Sequence, residues 1–574
     1  MNWMPGNRRF AVRLLAAALV WSAAGCVTGP QPAPTATTLP LPLEALQAKL
    51  ARLQPVDITA SVAGLAPQDR QALDKLIAAA QLMDPLFLRQ VWSSNEALAR
   101  KLAQDDSPRG RAELGYFRVN AGAWERLDAE ESFLPGVPCQ KPPKANFYPE
   151  DMTKTEFERW VKGLAPAARD QAQGFFHLVR RQPAGAPGAG QLTLVPYSEA
   201  YREFLEPAAR LLREAAELTT NASLKRFLVS RADAFASNDY YASDVAWMDV
   251  DAPIEVTIGP YETYEDGLFN YKAAFEAFVT IRDDAECAKF ARFGGYLQEL
   301  EDHLPIAPAY RNPKLGSLAP IRVVDEVFCS GFANMGVQTA AFNLPNDERV
   351  IREKGCKRVL LRNVQAAKFQ IVLRPIAAQV LVPESRANVD FEPFFTHILM
   401  HELSHGLGPQ QISKHGHTSS PRQELKDLYP AIEEAKADIT GLFTLQYLID
   451  QGKLPRDLER TLYPTFTASI FRSVRFGLTE AHSKGFAMIF NRLMDQGGIV
   501  LDPATGLFRV DIEKMKAATR QICGELLTIE AEGDYARAKA LLKRYSVIRP
   551  AMRQGLDRLT TIPVDIAPNF LLAK

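Results

Sequence analysis

A His-Glu-x-x-His pattern formed by His401, Glu402 and His405 is the part of the sequence best suited to chemistry. Residues four apart share one face of an α-helix, so both imidazoles of such a helix can bind one Zn²⁺ ion. Glu402, the next residue along, is then the candidate general base for an attacking water molecule. Six of the eight histidines fall between residues 397 and 482, which concentrates the candidate chemistry in one region.

Downstream acids offer the third protein ligand that a catalytic zinc site needs. A long helix predicted over residues 422–450 carries Glu433, Glu434 and Asp438. Glu434 and Asp438 are four residues apart and therefore share a face. Glu434 can ligate the zinc, while Asp438 can accept a hydrogen bond from a ligand histidine and fix its tautomer. The alternative is an exposed acidic helix face.

The sequence around the histidine pair predicts the helix that it requires. Residues 394–407 are apolar enough for a buried helix, and Gly406 and Gly408 predict its end. His397 lies one turn earlier and is interpreted as a core residue, with a contact to a zinc ligand as the alternative. Two further histidines follow in the predicted loop and are interpreted as solvent-exposed, with a position lining a cleft as the alternative: His415 and His417.

The composition of the 574-residue chain excludes several classes of protein. Lys and Arg together number 67, and Asp and Glu together also number 67. The chain therefore lacks the excess of positive charge that is typical of nucleic-acid-binding proteins. A hydrophobic content of 47% with 23% charged residues excludes a disordered, collagenous or coiled-coil chain. The sequence contains no Walker loop, no Gly-x-Ser-x-Gly elbow and no Nudix box.

The N-terminus has the pattern of a secretory signal peptide. Three arginines precede an apolar run over residues 14–25, which is shorter than the roughly 20 residues that span a bilayer. The run ends in Ala-Ala-Gly-Cys26 and resembles the lipobox of bacterial lipoproteins. We therefore expect a signal peptide over residues 1–25, a lipidated Cys26 and a Pro/Thr/Ala-rich tether over 26–42. The alternative is an ordinary signal peptide with a cleavage site nearby.

Coarse patterning predicts a mixture of helices and strands. Helical periodicity dominates from residue 43 to about 243 and again from 394 to about 545. Strand-like sequence occupies 254–259, and 358–362 together with 367–382.

Together these segments resemble the dipeptidyl peptidase III family of zinc aminopeptidases. The family's zinc helix carries His-Glu-x-x-Gly-His, of which this chain has a pentapeptide version without the inserted glycine. The similarity covers roughly residues 250–545. Besides the pentapeptide, the segments that carry it are IEVTIGPYETY at 254–264, AFNLPNDE at 341–348, EEAKAD at 433–438 and EAHS at 480–483.

The resemblance implies a role for each candidate residue. One zinc ion per chain would be held by three ligands: His401, His405 and Glu434. Asp438 and Glu433 would contact these ligands, and Glu402 would be the general base. His482 would stabilise the developing oxyanion. The free N-terminus of a peptide would be held by Glu255, Asn343 and Asn346, because an α-ammonium group needs a carboxylate and amide oxygens. The family's active-site tyrosine aligns with Thr257, with Tyr261 and Tyr264 as alternatives.

The resemblance also implies a two-lobed α+β architecture. A mainly helical lobe bears the zinc, a mixed lobe contains a β-barrel, and a wide cleft separates them. The expected intervals are the lower lobe with helices and strands at 43–264, upper-lobe helices at 265–335, strands returning to the lower lobe at 336–393, the zinc-bearing helical lobe at 394–547 and a C-terminal segment at 548–574.

The function expected from the sequence is zinc-dependent hydrolysis that releases N-terminal dipeptides from short peptides. The enzyme would be lipid-anchored in a bacterial cell envelope, on the outer membrane facing the periplasm, since Val27 rather than Asp follows Cys26. One alternative is a non-catalytic lipoprotein that binds peptides or metal, although pure binding needs no base at Glu402. Another is a zinc hydrolase that acts on a different amide.

Overall fold

A computed structural model describes residues 41–315, 321–414, 416–478 and 480–573 of the chain. The predicted signal peptide, Cys26 and His415 lie outside the described residues. Within the described ranges the protein is a mixed fold of helices and strands, as its patterning predicts. Among the described helices, none has the length and apolar character that a membrane crossing requires.

The first part of the chain is mainly helical. In its longest helix the buried residues recur every three or four positions, from Leu205 to Ala216, so one face packs against the core. The elements are α1 (Leu43–Leu50), β1 (Leu53–Ile58), α2 (Pro67–Gln81), α3 (Met83–Val91), α4 (Asn95–Leu102), α5 (Pro108–Asn120), α6 (Lys154–Lys162), α7 (Pro166–Gln173), β2 (His177–Arg181), β3 (Leu192–Pro196), α8 (Tyr197–Ala200), α9 (Arg202–Leu218), α10 (Ala222–Ser237) and α11 (Tyr241–Met248).

A five-stranded sheet follows, in the spatial order β4-β5-β6-β8-β7. Only the β6–β8 pair is parallel. The strands and their connecting helices are β4 (Ile254–Glu262), β5 (Ala274–Arg282), α12 (Asp284–Asp302), β6 (Ile321–Gly331), β7 (Ala341–Leu344), α13 (Glu348–Lys354) and β8 (Lys357–Leu361).

The sheet is open within the described residues, so the expected β-barrel is not found. Closure would require the edge strands β4 and β7 to pair with each other. β4 has nine residues and β7 has four, and the structure pairs β4 with β5 and β7 with β8 only.

The remainder is again mainly helical. Its short strands form two hairpins, β9–β10 and β11–β12, while β13 returns to pair in parallel with β1. The elements are α14 (Arg362–Lys368), a π-helical turn (Phe369–Leu373), α15 (Arg374–Val380), α16 (Pro383–Arg386), α17 (Phe391–Ser404), β9 (Ile412–Lys414), β10 (His417–Ser419), α18 (Pro421–Leu425), α19 (Tyr429–Asp450), α20 (Asp457–Val474), α21 (Ala481–Asp495), β11 (Ile499–Leu501), β12 (Phe508–Val510), α22 (Ile512–Glu532), α23 (Tyr535–Tyr545), α24 (Pro550–Leu556) and β13 (Asp565–Phe570).

The buried apolar residues fall into two clusters. The first unites the N-terminal helices with most of the five-stranded sheet. The second is built from α12, α15, α17 and the helices from α19 to α24. Helix α17, which carries His401 and is capped by His405, packs in the second, helical cluster, while most of the sheet belongs to the first, the sheet cluster.

Two expectations about secondary structure are corrected. Residues 367–382, expected as a strand, are helical up to Val380, because Val372, Ile376 and Val380 are buried at a four-residue spacing that matches a helix. Residues 265–335, expected as helical, contain α12 but also β5 and β6. β5 is buried on both faces over most of its length, so it lacks the alternation that reveals a half-exposed strand.

Candidate metal centre and adjoining cavity

The two histidines of the His-Glu-x-x-His pattern lie at the end of α17. His401 is in its last turn and His405 is its C-cap residue. The spacing brings their Nε2 atoms within 3.2 Å of each other. His401 is buried and His405 is partly exposed, so the pair opens to one side of the helix.

Helix α19 supplies the acids and packs closely against α17. A Cβ atom at Gly441 would lie 3.1 Å from the backbone nitrogen of His401, so only glycine allows this approach without a shift. Gly485 plays the same part between α21 and α19, where a Cβ atom would lie 3.1 Å from the nitrogen of Ala435. These two contacts bring three helices together around Glu434.

Glu434 faces the histidine pair. Its Oε2 atom lies 3.3 Å from Nε2 of His401 and 3.8 Å from Nε2 of His405. One donor atom from each of the three residues lies within 4.8 Å of the others. Oε2 is buried and makes no hydrogen bond among the described residues.

The other ring nitrogen of each histidine is held by a carboxylate. Nδ1 of His401 donates to Oδ1 of Asp438 at 2.8 Å, and Nδ1 of His405 donates to Oε1 of Glu433 at 2.7 Å. In the neutral tautomer this leaves both Nε2 atoms with a lone pair and no proton. Two such nitrogens and a carboxylate oxygen therefore converge with no donor between them, a set that fits a divalent metal ion such as Zn²⁺.

The electrostatics of the cluster favour positive charge at this point. Burial alone would lower the pKa of His401, but the nearby carboxylates of Asp438 and Glu434 raise it to about 10. Burial opposes ionisation of Glu433 as well, yet Lys436 and His405 bring its pKa down to about 2. The same histidines lower the pKa of Glu434 against the effect of burial.

Glu402 and His482 flank this cluster. The Glu402 side chain is about one-third exposed, at 32%. His482, in the first turn of α21, is 54% exposed, and its Nδ1 lies 3.1 Å from Oε2 of Glu434. Both groups therefore reach solvent beside the convergent donor atoms.

The remaining described histidines of the region are outside the cluster. His397 is buried, and its Nε2 donates to the backbone carbonyl of Asp438 at 2.9 Å. It thus packs in the core while bracing the residue that holds His401. His417 is exposed on β10, as predicted.

Asn343 and Asn346 line a cavity of about 610 Å³ on the sheet. Asn346 is fixed by a hydrogen bond from its Nδ2 to the backbone carbonyl of Tyr261 at 2.8 Å. The other lining residues are Phe175, Glu262, Thr263, Tyr264, Asn270, Glu276, Phe278, Phe332, Thr339, Ala341 and Phe342.

Glu255 does not line this cavity, which corrects the sequence expectation. It is buried near the other end of β4, where Arg322 contacts Oε1 at 3.1 Å and Lys357 contacts Oε2 at 3.4 Å. Glu262, at the far end of the same strand, lines the cavity instead. β4 thus has an acid near each end, and the acid at its C-terminal end faces the asparagines.

Tyr264, one of the two alternatives to Thr257 for the active-site tyrosine, also lines this cavity. Tyr264 follows Glu262 by two residues, which is also the spacing between Glu255 and Thr257. Thr257 is buried in the middle of β4, whereas the Tyr264 ring is 75% exposed and stacks on Phe332. The Glu-x-Tyr spacing at 262–264 was therefore the signal that could have located this part of the site.

Glu276 is a second cavity acid that sequence reasoning missed. It is fully buried, and its Oε1 has no hydrogen-bond partner among the described residues. Burial raises its pKa well above the ordinary range, and the charge of Glu262 raises it further. Burial also raises the pKa of Glu262. A ligand with a positive charge would relieve both effects.

Comparisons with known proteins bear on this site. A model of Peptidase family M49 matches residues 188–442, a range that contains the His-His-Glu cluster and the cavity asparagines. The solved structure of DPP III from Caldithrix abyssi aligns with a TM-score of 0.87 at 46% identity, over 92% of this chain and 99% of that chain. The structure of dipeptidyl-peptidase III from Corallococcus sp. strain EGB aligns with a TM-score of 0.76 at 51% identity, over 93% and 98%.

A relative of a different name is also similar over nearly the whole chain. A protein named Nudix hydrolase 3 from Arabidopsis thaliana is 41% identical over 575 residues, which is 92% of this chain and 74% of that protein. The present sequence contains no Nudix box, the motif to which the name of that relative refers.

Proposed function

This chain belongs to peptidase family M49, and we propose that it releases dipeptides from the free N-termini of short peptides with the help of one zinc ion. The observation that carries the proposal is the convergence of His401, His405 and Glu434 beside Glu402. A cavity with two acids and two asparagines lies on the adjoining sheet.

Zinc is the proposed metal because two imidazoles and one carboxylate are a donor set typical of catalytic zinc sites. When bound, zinc would polarise the scissile carbonyl and make a water molecule nucleophilic at neutral pH. His401, His405 and Glu434 would hold it. Asp438 and Glu433 would keep the imidazoles in the tautomer that presents Nε2.

Glu402 is the proposed general base. Its carboxylate sits one residue from His401 and reaches solvent, so it can accept a proton from the attacking water. The same carboxyl group can return the proton to the amine that leaves. His482 is the proposed donor to the carbonyl oxygen, since its ring is exposed next to Glu434.

The cavity is the proposed site for the peptide N-terminus. Glu276 is a buried acid with an oxygen that lacks a partner among the described residues, and Glu262 lies near enough to raise its pKa. An α-ammonium group would supply the missing positive charge, and Asn343 and Asn346 would supply amide oxygens. Fixing the N-terminus at a set distance from the metal would fix the position of the cut.

The two apolar clusters support a two-lobed arrangement. We propose that the sheet cluster and the helical cluster are the lower and upper lobes. The substrate would then bind along the sheet of one lobe and meet the helix α17 of the other.

Metal analysis combined with a panel of dipeptidyl-naphthylamide substrates tests this function. We expect about one zinc per chain in the wild type, and its loss in His405→Ala and Glu434→Ala. Glu402→Gln should keep the zinc and lose the activity, because Glu402 is a base and not a ligand. The exposed His417→Ala is the matched control and should keep both.

Three outcomes would contradict the proposal. Wild-type protein without stoichiometric metal would remove the proposed site. A zinc-loaded Glu402→Gln variant that still turns over peptide would remove the proposed base. Zinc binding with no hydrolysis of any peptide would instead favour a metal- or peptide-binding lipoprotein.

A further inference from the structure

Arg358 connects the substrate-side sheet to the general base. It lies in β8, and its Nη1 donates to the backbone carbonyl of Glu402 at 2.8 Å. Its Nε lies 3.8 Å from Oε2 of the same residue. One guanidinium group therefore contacts both the backbone and the side chain of Glu402.

The backbone contact falls where α17 needs it. The last turn of a helix leaves carbonyl oxygens without an intrahelical partner. Arg358 satisfies the carbonyl of Glu402, and Lys436 satisfies that of Ser404 at 3.0 Å. Positive side chains at this end also interact favourably with the helix dipole. Arg358 thereby holds the turn that bears Glu402 and ends in His405.

Within the described part of the chain, the Nε group of Arg358 lacks a hydrogen-bond acceptor, and the Glu402 carboxylate is close to it. Nε of Arg358 is buried and has no hydrogen-bond partner among the described residues. The carboxylate oxygen at 3.8 Å is slightly beyond hydrogen-bond range, and a small rotation of the Glu402 carboxylate would bring it within reach. A planar guanidinium can donate from Nε and Nη1 in fixed directions, which a lysine cannot reproduce.

Arg358 is also tied to the cavity through the sheet. It pairs with Asn343 across the β7–β8 ladder, so the strand that carries a cavity amide is bonded to the strand that carries the arginine. Arg358 itself does not line the cavity. Its influence on substrate would therefore act through Glu402 and not through the peptide.

We propose that Arg358 is a positioning residue for Glu402, which sets the placement of the base relative to a peptide bound on the sheet. The inference rests on the proposed peptidase function. It predicts a loss in the chemical step without a loss in binding, since the guanidinium contacts the base and not the cavity.

The test compares Arg358→Met and Arg358→Lys with a matched control, Arg322→Met. Arg322 lies on the neighbouring strand β6 with the same 23% side-chain exposure, but it contacts Glu255 and not α17. For Arg358→Met we expect kcat to fall about 10- to 100-fold, because a small misplacement of a catalytic group has effects of this size. KM should change by less than about threefold, as expected when binding is untouched.

Further readouts separate positioning from folding. The zinc content of Arg358→Met should remain about one per chain, and Arg358→Lys should recover part of kcat. In a Glu402→Gln background, Arg358→Met should cause no further loss of the residual rate, since residues that act as a unit are not additive. Arg322→Met should lower the melting temperature and leave kcat unchanged.

Three results would overturn the inference: an unchanged kcat in Arg358→Met, an equal loss in Arg322→Met, or a full additional loss in the Glu402→Gln background. If Arg358→Met does not fold, Arg358→Lys alone and Arg358→Lys in the Glu402→Gln background decide between these outcomes. A wild-type protein that holds zinc but cleaves no peptide would overturn the proposed function together with this inference. The activity of the wild type on peptides therefore distinguishes failure of the proposed function from failure of this inference alone.

Discussion

Asp438 holds two histidines of α17 at once: its carboxylate accepts from Nδ1 of His401 at 2.8 Å, and its backbone carbonyl accepts from Nε2 of His397 at 2.9 Å. Asp438 lies one turn beyond Glu434 on α19, so a single helix presents a proposed ligand and the brace of a second one. The metal centre is therefore defined by the packing of α17 against α19 as much as by the His-Glu-x-x-His pattern.

Asp438→Asn should weaken zinc binding while leaving the fold intact. The amide can still contact His401 but no longer favours the tautomer that presents Nε2 to the metal. Loss of such an outer partner typically costs about 10- to 100-fold in metal affinity. Competition with a chelator would measure this. An unchanged affinity would contradict the role of Asp438, and Asp450→Asn at the end of the same helix is the control.

Glu262→Gln should impair the cleavage of peptides that have a free N-terminus. Removal of one charged hydrogen-bond partner costs roughly 1.5–3 kcal/mol, or about 10- to 150-fold in kcat/KM. Glu255→Gln is the matched control on the same strand. It should reduce thermal stability, because it disturbs buried ion pairs with Arg322 and Lys357, and leave KM unchanged. If Glu255→Gln instead impaired the cleavage of free peptides and Glu262→Gln did not, the result would contradict this assignment and favour Glu255 as the group that binds the peptide N-terminus.

KM for free peptides should rise as the pH falls. The rise should begin at a higher pH than the protonation of an ordinary glutamate would cause. Burial raises the pKa of both Glu262 and Glu276 above 4.5. A raised pKa means that these acids take up protons early on acidification, and a neutral carboxyl cannot pair with an ammonium group. KM should rise again above roughly pH 8, where the substrate amine loses its proton.

Steady-state kinetics at constant zinc content would measure this profile. An N-acetylated peptide lacks the titrating amine and the ion pair, so its KM should show neither limb. A KM for the free peptide that stays constant from about pH 5 to about pH 8 would contradict binding of the amine by these acids.

We propose that the protein is anchored to the cell envelope through Cys26, a residue outside the described part of the chain. A buried lipid chain contributes roughly 0.8 kcal/mol per CH₂, so several acyl chains give firm attachment. Cys26→Ser should release the protein from the membrane fraction or leave it unprocessed. Fractionation and lipid labelling that match the wild type would show that the lipobox interpretation is wrong.

Local patterns in the sequence were sufficient for the helices around the metal centre. The i, i+4 spacing of His401 and His405 and the apolar residues before them predict α17 to within three residues at either end. The helix predicted over 422–450 begins later, at Tyr429, because α18 and a 3₁₀ turn precede it. The acids Glu433, Glu434 and Asp438 nevertheless lie on it as expected.

Features that depend on distant packing were not predictable in this way. Residues 367–382 are rich in Val, Ile and Phe and read as a strand, yet they are helical up to Val380, with one face of the helix buried. Glu255 and Glu262 lie near opposite ends of β4, and the strand pattern does not distinguish them. The hydrogen bond from Asn346 to the backbone of Tyr261 places the Glu262 end at the cavity. The Arg358–Glu402 contact joins residues 44 apart and has no local signal.

The most direct test of the proposed function is the identity of the products from one peptide of about six residues, with a free and an acetylated N-terminus. Mass spectrometry after incubation with zinc-loaded enzyme should show the N-terminal dipeptide and the remaining tetrapeptide from the free form. The acetylated form should react about 10- to 150-fold more slowly, because it cannot form the charged contact with Glu262 and Glu276. Release of single residues, or equal cleavage of both forms, would contradict dipeptide release from a free N-terminus.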